Sequence, residues 1–151
     1  MTRLTRRDVL KATAAASTIF PLFTVAGTRA SGQVVGANNR VRIGVAGIHG
    51  RGISHIDEYV RIPDVEVACL IDPDTRLFRG TSRRIAERAN TEPKCVQDIR
   101  VALEDKSLDA ISVATCNHWH ALMTVWACQA GKHVYVEKPI SHNVFEGRQC
   151  V

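Results

Sequence analysis

The sequence contains no apolar run of the roughly 18–20 residues that a membrane-spanning helix needs. It holds no internal repeat and no low-complexity tract. Its five cysteines are an odd number without short paired spacing, which argues against a disulfide framework. Basic charge is scarce where it would count. The net charge is +5, but residues 1–30 hold Arg3, Arg6, Arg7, Lys11 and Arg29 against Asp8. The remainder keeps 15 basic and 14 acidic side chains, a net of +1. A nucleic-acid footprint would be a basic stripe on the folded domain, so no nucleic-acid partner is expected. What is present is 151 residues, 45% hydrophobic and 23% charged, the makeup of one folded domain and not of a disordered chain.

Residues 1–30 read as an export signal. Thr5-Arg6-Arg7-Asp8-Val9-Leu10-Lys11 is a charged opening, Ala12 to Ala26 a short apolar stretch, and Thr28-Arg29-Ala30 a small-residue exit. The paired arginines resemble the twin-arginine type, although Val9 stands where that motif often has Phe. The expected destination is the periplasm. Residues 31–39, rich in Gly and Asn, read as a linker, and residues 40–151 as the folded domain.

That domain alternates strands with helices. Strands are expected at 40–46, 65–71, 94–96, 110–114 and 133–136, and helices to about Tyr59, at 76–89, after Asp98 as N-cap, and at 118–130 with Gly131 at the left-handed C-terminal position. Nearly continuous apolar strands separated by helices imply a parallel sheet covered on both faces, in the order 3-2-1-4-5. The fold class is therefore α/β, a Rossmann-type doubly wound parallel sheet.

The chemistry gathers at the carboxyl ends of the strands. Gly47-Ile48-His49-Gly50-Arg51-Gly52 follows the first strand and opens a helix, the setting of a dinucleotide-binding turn. Glycine permits a sharp turn and close approach to a pyrophosphate, and a helix N-terminus offers N–H groups to the anion. His49 occupies the middle glycine position, with Gly50 beside it. Asp72 ends the second strand twenty residues after Gly52, where a carboxylate grips the ribose hydroxyls of NAD. In isolation Asp72 would equally serve as a turn-former before Pro73. NAD is favoured over NADP because a carboxylate repels a 2′-phosphate, and Arg76 nearby would soften that bias. Thr115-Cys116-Asn117-His118-Trp119-His120 follows the fourth strand and Glu137-Lys138-Pro139 the fifth. The two histidines read as surface helix residues. A metal site from Cys116, His118 and His120 is disfavoured, since no second cluster has zinc-like spacing. Lys138 is either a solvated loop charge or an ammonium oriented by Glu137.

The segment Gly131-Lys132-His133-Val134-Tyr135-Val136-Glu137-Lys138-Pro139 resembles the G-K-H-V-x-x-E-K-P motif of the Gfo/Idh/MocA oxidoreductases. Ala114 to His120 resembles that family's A-T-P-[DN]-x-x-H segment, with Cys116 where Pro is usual. The resemblance runs from about Val41 to Val151. It implies that the turn from Gly47 through Ile48, His49, Gly50 and Arg51 to Gly52 holds the pyrophosphate and Asp72 the adenosine ribose. Thr115, Asn117 and His120 would approach the nicotinamide side. Glu137 and Lys138 would lie at the substrate edge, with Lys138 the catalytic residue on the reacting hydroxyl or carbonyl. It further implies sugar or polyol substrates and a homo-oligomer. Members of the family continue into a last Rossmann strand and a second α/β domain that carries the proton-transferring residue. The chain thus reads as the dinucleotide-binding part of such an oxidoreductase. The alternatives are a NAD-dependent glycoside hydrolase of the same family, or a truncated product without catalysis.

Overall fold

A computed structural model describes residues 40–151; the expected export signal and linker lie outside the described residues. Among the described residues, five strands and five helices follow in strict alternation. They are β1 (Val41–Ala46), α1 (Arg51–Tyr59), β2 (Val65–Ile71), α2 (Arg76–Ala89), β3 (Lys94–Val96), α3 (Ile99–Leu103), β4 (Ala110–Val113), α4 (Asn117–Gln129), β5 (His133–Val136) and α5 (Val144–Gln149). All pairings are parallel, and the sheet order is β3-β2-β1-β4-β5, as the alternation predicts.

The sheet is central because its inner strands β1, β2 and β4 are apolar on both sides. The last four residues of β1 and the last five of β2 are buried. On one face Ile43, Val45, Val67 and Leu70 pack against Ile56 of α1 and Ile85 of α2. On the other, Ala46, Cys69, Ile71, Ile111 and Val113 meet Ile99 and Ala102 of α3 and Ala127 of α4. The two faces differ in grain. The fully buried members of the first are Ile, Leu and Val alone; those of the second include Ala46, Ala68, Ala102 and Ala127.

One irregularity escapes the periodicity. Ile43 pairs with Val67 but Gly44 pairs with Cys69, so Ala68 is an extra residue in β2. Such a bulge puts two successive side chains on one face. Ala68 and Cys69 accordingly both join the alanine-rich cluster.

Local signals set the helix ends. Asp98 caps α3 as expected, its carboxylate accepting from the Arg100 N–H at 2.9 Å. Gly131 takes φ 72° just after α4. A final helix, for which the sequence reading set no range, starts at Val144. Asn143 Oδ1 accepts from the Glu146 N–H at 2.9 Å, and Glu146 Oε2 accepts from the His142 N–H at 3.0 Å. This is a capping box displaced by one residue.

No helix among the described residues is long and apolar enough to cross a membrane.

Candidate functional site

The chain reverses direction of winding between β1 and β4, and the turn after β1 opens at that point. In doubly wound sheets this crevice at the strands' carboxyl ends is where ligands bind. Gly47 has φ 81°, a left-handed conformation that glycine alone adopts freely. A Cβ there would lie 2.6 Å from the Ala114 carbonyl oxygen. A Cβ at Gly52 would collide with the Gly47 carbonyl, so helix and turn pack backbone to backbone. Gly50, at φ 47°, faces open space. His49 at the middle glycine position is exposed and does not crowd the turn.

A cleft of about 670 Å³ lies over this turn. That is within the usual range for a small-molecule site. Gly47, His49, Asp72, Ala114 and Thr115 line it, as do Pro73, Gln97, Asp98, Ile99 and Arg100 from β2 to α3. Cys116, Trp119, Met123 and Trp126 complete its apolar wall. The Arg100 guanidinium sits 5.9 Å from the Trp126 ring centre. Gln97, Arg100, Trp119, Met123 and Trp126 were not singled out from the sequence. Trp119, Met123 and Trp126 follow at i, i+4 and i+7, one face of α4, but that pattern reads equally as core.

Asp72 is 8% exposed and tightly placed. Its Oδ2 accepts from the Ile48 N–H at 3.0 Å, its Oδ1 from the Asp74 N–H at 2.9 Å. The Ile48 side chain is buried in the core. Ile48, expected in the pyrophosphate turn, therefore spends both its N–H and its side chain inside the protein. It orients Asp72. Arg76, the group nearest in sequence that would welcome a 2′-phosphate, is gripped twice by Asp74, at 2.8 and 2.7 Å. The Arg76 guanidinium holds the Asp74 carboxyl well down, at about 2.

The expected nicotinamide residues separate. Thr115 lines the cleft; Asn117 is exposed at the start of α4 and does not. His120 is only 1% exposed. Its Nδ1 lies 2.7 Å from the Pro139 carbonyl and its Nε2 3.0 Å from the Thr115 carbonyl. The ring thus bridges the loop after β4 to the loop after β5, beneath the cleft instead of in it. Cys116 and His118 do not join His120 as ligands, and no group of three or more His, Cys, Asp or Glu among the described residues is arranged to hold a metal.

Glu137 and Lys138 stand at the carboxyl end of β5. Glu137 Oε1 accepts from Arg51 Nε at 2.6 Å, across 86 residues of sequence, and from His55 Nε2 at 2.8 Å. These two donors, Arg51 first, hold the Glu137 carboxyl down at about 2. Lys138 is exposed beside it, and the Lys138–Pro139 peptide is cis.

Residues 41–151 match the family described as oxidoreductase, NAD-binding Rossmann fold, of the Gfo/Idh/MocA type. The chain belongs to this family. Its curated relatives include a glycosyl hydrolase family 109 protein of Shewanella pealeana, 27% identical over 135 residues, covering 87% of this chain and 30% of the relative. The chain thus spans about 30% of the length of such relatives. A NAD-binding oxidoreductase of Klebsiella pneumoniae shares 29% identity at TM-score 0.61, over 74% of this chain and 30% of that one. Myo-inositol dehydrogenase of Lactobacillus casei, in complex with NAD(H) and myo-inositol, superposes at TM-score 0.68 with 23% identity, over 74% and 32%. That last likeness shows the fold alone.

The cofactor of this family is NAD, and the described residues fit it. Glycines let the turn pack backbone to backbone, a pre-oriented carboxylate follows β2, and Gly47 and Asp72 share their cleft with Trp119 and Trp126.

Proposed function

We propose that this chain is the NAD-binding part of an enzyme that transfers hydride at a hydroxyl-bearing carbon of a sugar or polyol. The observation that carries this reading is the Arg51–Glu137 contact, which joins the dinucleotide turn to the Glu137-Lys138-Pro139 turn at one sheet edge. Asp72 receives the adenosine ribose hydroxyls, and the turn from Gly47 to Gly52 receives the pyrophosphate. The bound nicotinamide supplies hydride acceptance. Lys138 donates hydrogen bonds to the substrate oxygen and stabilises negative charge that develops there as the hydroxyl proton leaves. We place the base that takes that proton in the portion of such proteins that this chain does not span.

Lys138→Ala should lower kcat about 10²–10³-fold, the usual effect of removing one preorganised donor. NAD affinity should stay close to that of the unchanged protein. Steady-state kinetics with a sugar and polyol panel, alongside NAD titration, test this. An unchanged kcat would make Lys138 a solvated surface charge.

A second reading draws support from the names of the curated relatives. Glycoside hydrolysis by transient oxidation and elimination uses the same cleft and the same Lys138, and returns the hydride each cycle. Such enzymes are exceptions to the two-carboxylate scheme. Net NADH accumulation with substrate supports the first reading. Sugar release without it supports the second.

We further propose export by the twin-arginine route to the periplasm, and assembly into a homo-oligomer. Replacing Arg6 and Arg7 by Lys should trap precursor in the cytoplasm, because that route reads a guanidinium pair. Cell fractionation checks it, and unimpaired export of the variant refutes it.

A further inference from the structure

A chain of hydrogen bonds, buried at His55 and Ser112 and partly buried at its ends, runs beneath the sheet edge, and the roles assigned above do not account for it. His55 on α1 is 7% exposed. Its Nδ1 lies 2.9 Å from Ser112 Oγ on β4, and its Nε2 lies 2.8 Å from Glu137 Oε1. Tyr59, one turn further along α1, donates its hydroxyl to Ser112 Oγ at 3.1 Å. The i, i+4 spacing puts His55 and Tyr59 on one face of the helix. Tyr135 of β5 packs edge-on against the His55 ring at 5.4 Å. Arg51 and Glu137 are the charged groups of this cluster.

The donors run one way. An ionised carboxylate only accepts, so the hydrogen on Nε2 points to Glu137. In the neutral ring Nδ1 is then an acceptor, and the Ser112 hydroxyl turns its hydrogen toward it. A hydroxyl oxygen keeps lone pairs for the Tyr59 hydroxyl. The order is Tyr59 to Ser112 to His55 to Glu137, with every hydrogen used. Such a network is stiffer than its parts because each bond polarises the next in a low-dielectric setting. The other hold on Glu137 comes from the solvent side, since the Arg51 side chain is 63% exposed, whereas His55 approaches from the buried side.

We propose that His55 is a positioning residue for this site. Fixed as its Nε2–H form by Ser112 and Tyr59, it holds Glu137 in the orientation that lets one carboxylate meet both Arg51 and the Lys138 backbone N–H. The dinucleotide turn and the turn bearing Lys138 are thereby set by one buried imidazole. The assignment deepens the proposed function and rests on its reading of these two turns.

Two measurements on the purified protein test it. Nitrogen-15 spectra of the imidazoles should show His55 protonated on Nε2 and bare on Nδ1, with that preference lost in Ser112→Ala. A hydrogen on Nδ1 in the unchanged protein overturns the proposal. The second is NADH affinity, read from quenching of Trp119 and Trp126 in the cleft wall. His55→Ala should weaken it about tenfold, the scale of coupling within one hydrogen-bonded network. Adding His55→Ala to Glu137→Gln should cost nothing more, and His55→Gln, whose amide replaces the Nε2–H donor, should recover most of the loss. Additive losses mean that His55 does not act through Glu137. Should His55→Ala fail to fold, His55→Gln and the imidazole spectra still decide. Absence of NADH binding by the unchanged protein would defeat the functional reading while the spectra continued to test the positioning role.

Discussion

Single residues here have environments that set their reactivity. Cys69 is buried in the sheet, and burial pushes its thiol up to about 11. The attacking species is the thiolate, so below that value the group stays inert. Cys116 is exposed and lines the cleft. Alkylation at pH 8 followed by peptide mass mapping should therefore label Cys116 quickly and Cys69 only after unfolding, and saturating NADH should slow the labelling of Cys116. Equal labelling with and without NADH would remove Cys116 from the cofactor cleft. At this scale the sequence was partly legible. Asp72 was placed by its spacing from the glycine turn, because spacing along a βαβ unit is fixed by geometry. The buried place of His120 was not legible, since its partners are two backbone carbonyls that no side-chain pattern announces. His55 and Ser112 were silent for the same kind of reason. They are 57 residues apart in sequence and meet only across the sheet.

Elements were the most readable level. Apolar runs bounded by Pro, Gly and Asp mark the strands: β1, β2 and β4 are largely buried and need no alternation, whereas the edge strands β3 and β5 keep exposed positions. The bulge at Ala68 was hidden, since an inserted alanine inside an apolar run changes no pattern. The turn between β1 and α1 carries the sharpest expectation of this scale. Gly47→Ala adds a Cβ against the Ala114 carbonyl at a positive φ, and Gly52→Ala drives one into the Gly47 carbonyl. Backbone cannot yield as a flexible side chain does. Each variant should lose about 1–3 kcal/mol of stability, the scale of local backbone strain, together with NADH binding. Gly50→Ala meets no neighbouring atom, so any loss there comes from its φ alone. Denaturant titrations of the three variants check the ranking, and equal effects at all three positions would refute it.

The described residues join these parts around the cleft at the strands' carboxyl ends, and cofactor choice is a property of that assembly. Asp72 is pre-oriented by the Ile48 N–H, and Asp74 occupies the Arg76 guanidinium. Among the described residues, Arg76 is therefore not offered as a free cation at the end of β2. NAD should stabilise the protein more than NADP does in thermal denaturation. A ligand at about 100 times its Kd contributes about 2.7 kcal/mol to the folded state. Equal or larger shifts with NADP would mean that Arg76 leaves Asp74 when a 2′-phosphate arrives. Finally, the unlike grain of the two sheet faces bears on how this sequence can drift. On the aliphatic face every fully buried side chain is already large, and trimming one, as in Ile85→Ala, opens a void that costs about 2–5 kcal/mol. On the alanine face the helices lie over small side chains, and enlarging Ala102 or Ala127 forces strain of about 1–3 kcal/mol. Substitutions tolerated over time should thus have opposite size limits on the two sides of one sheet: a floor on volume under α1 and α2, and a ceiling on it under α3 and α4.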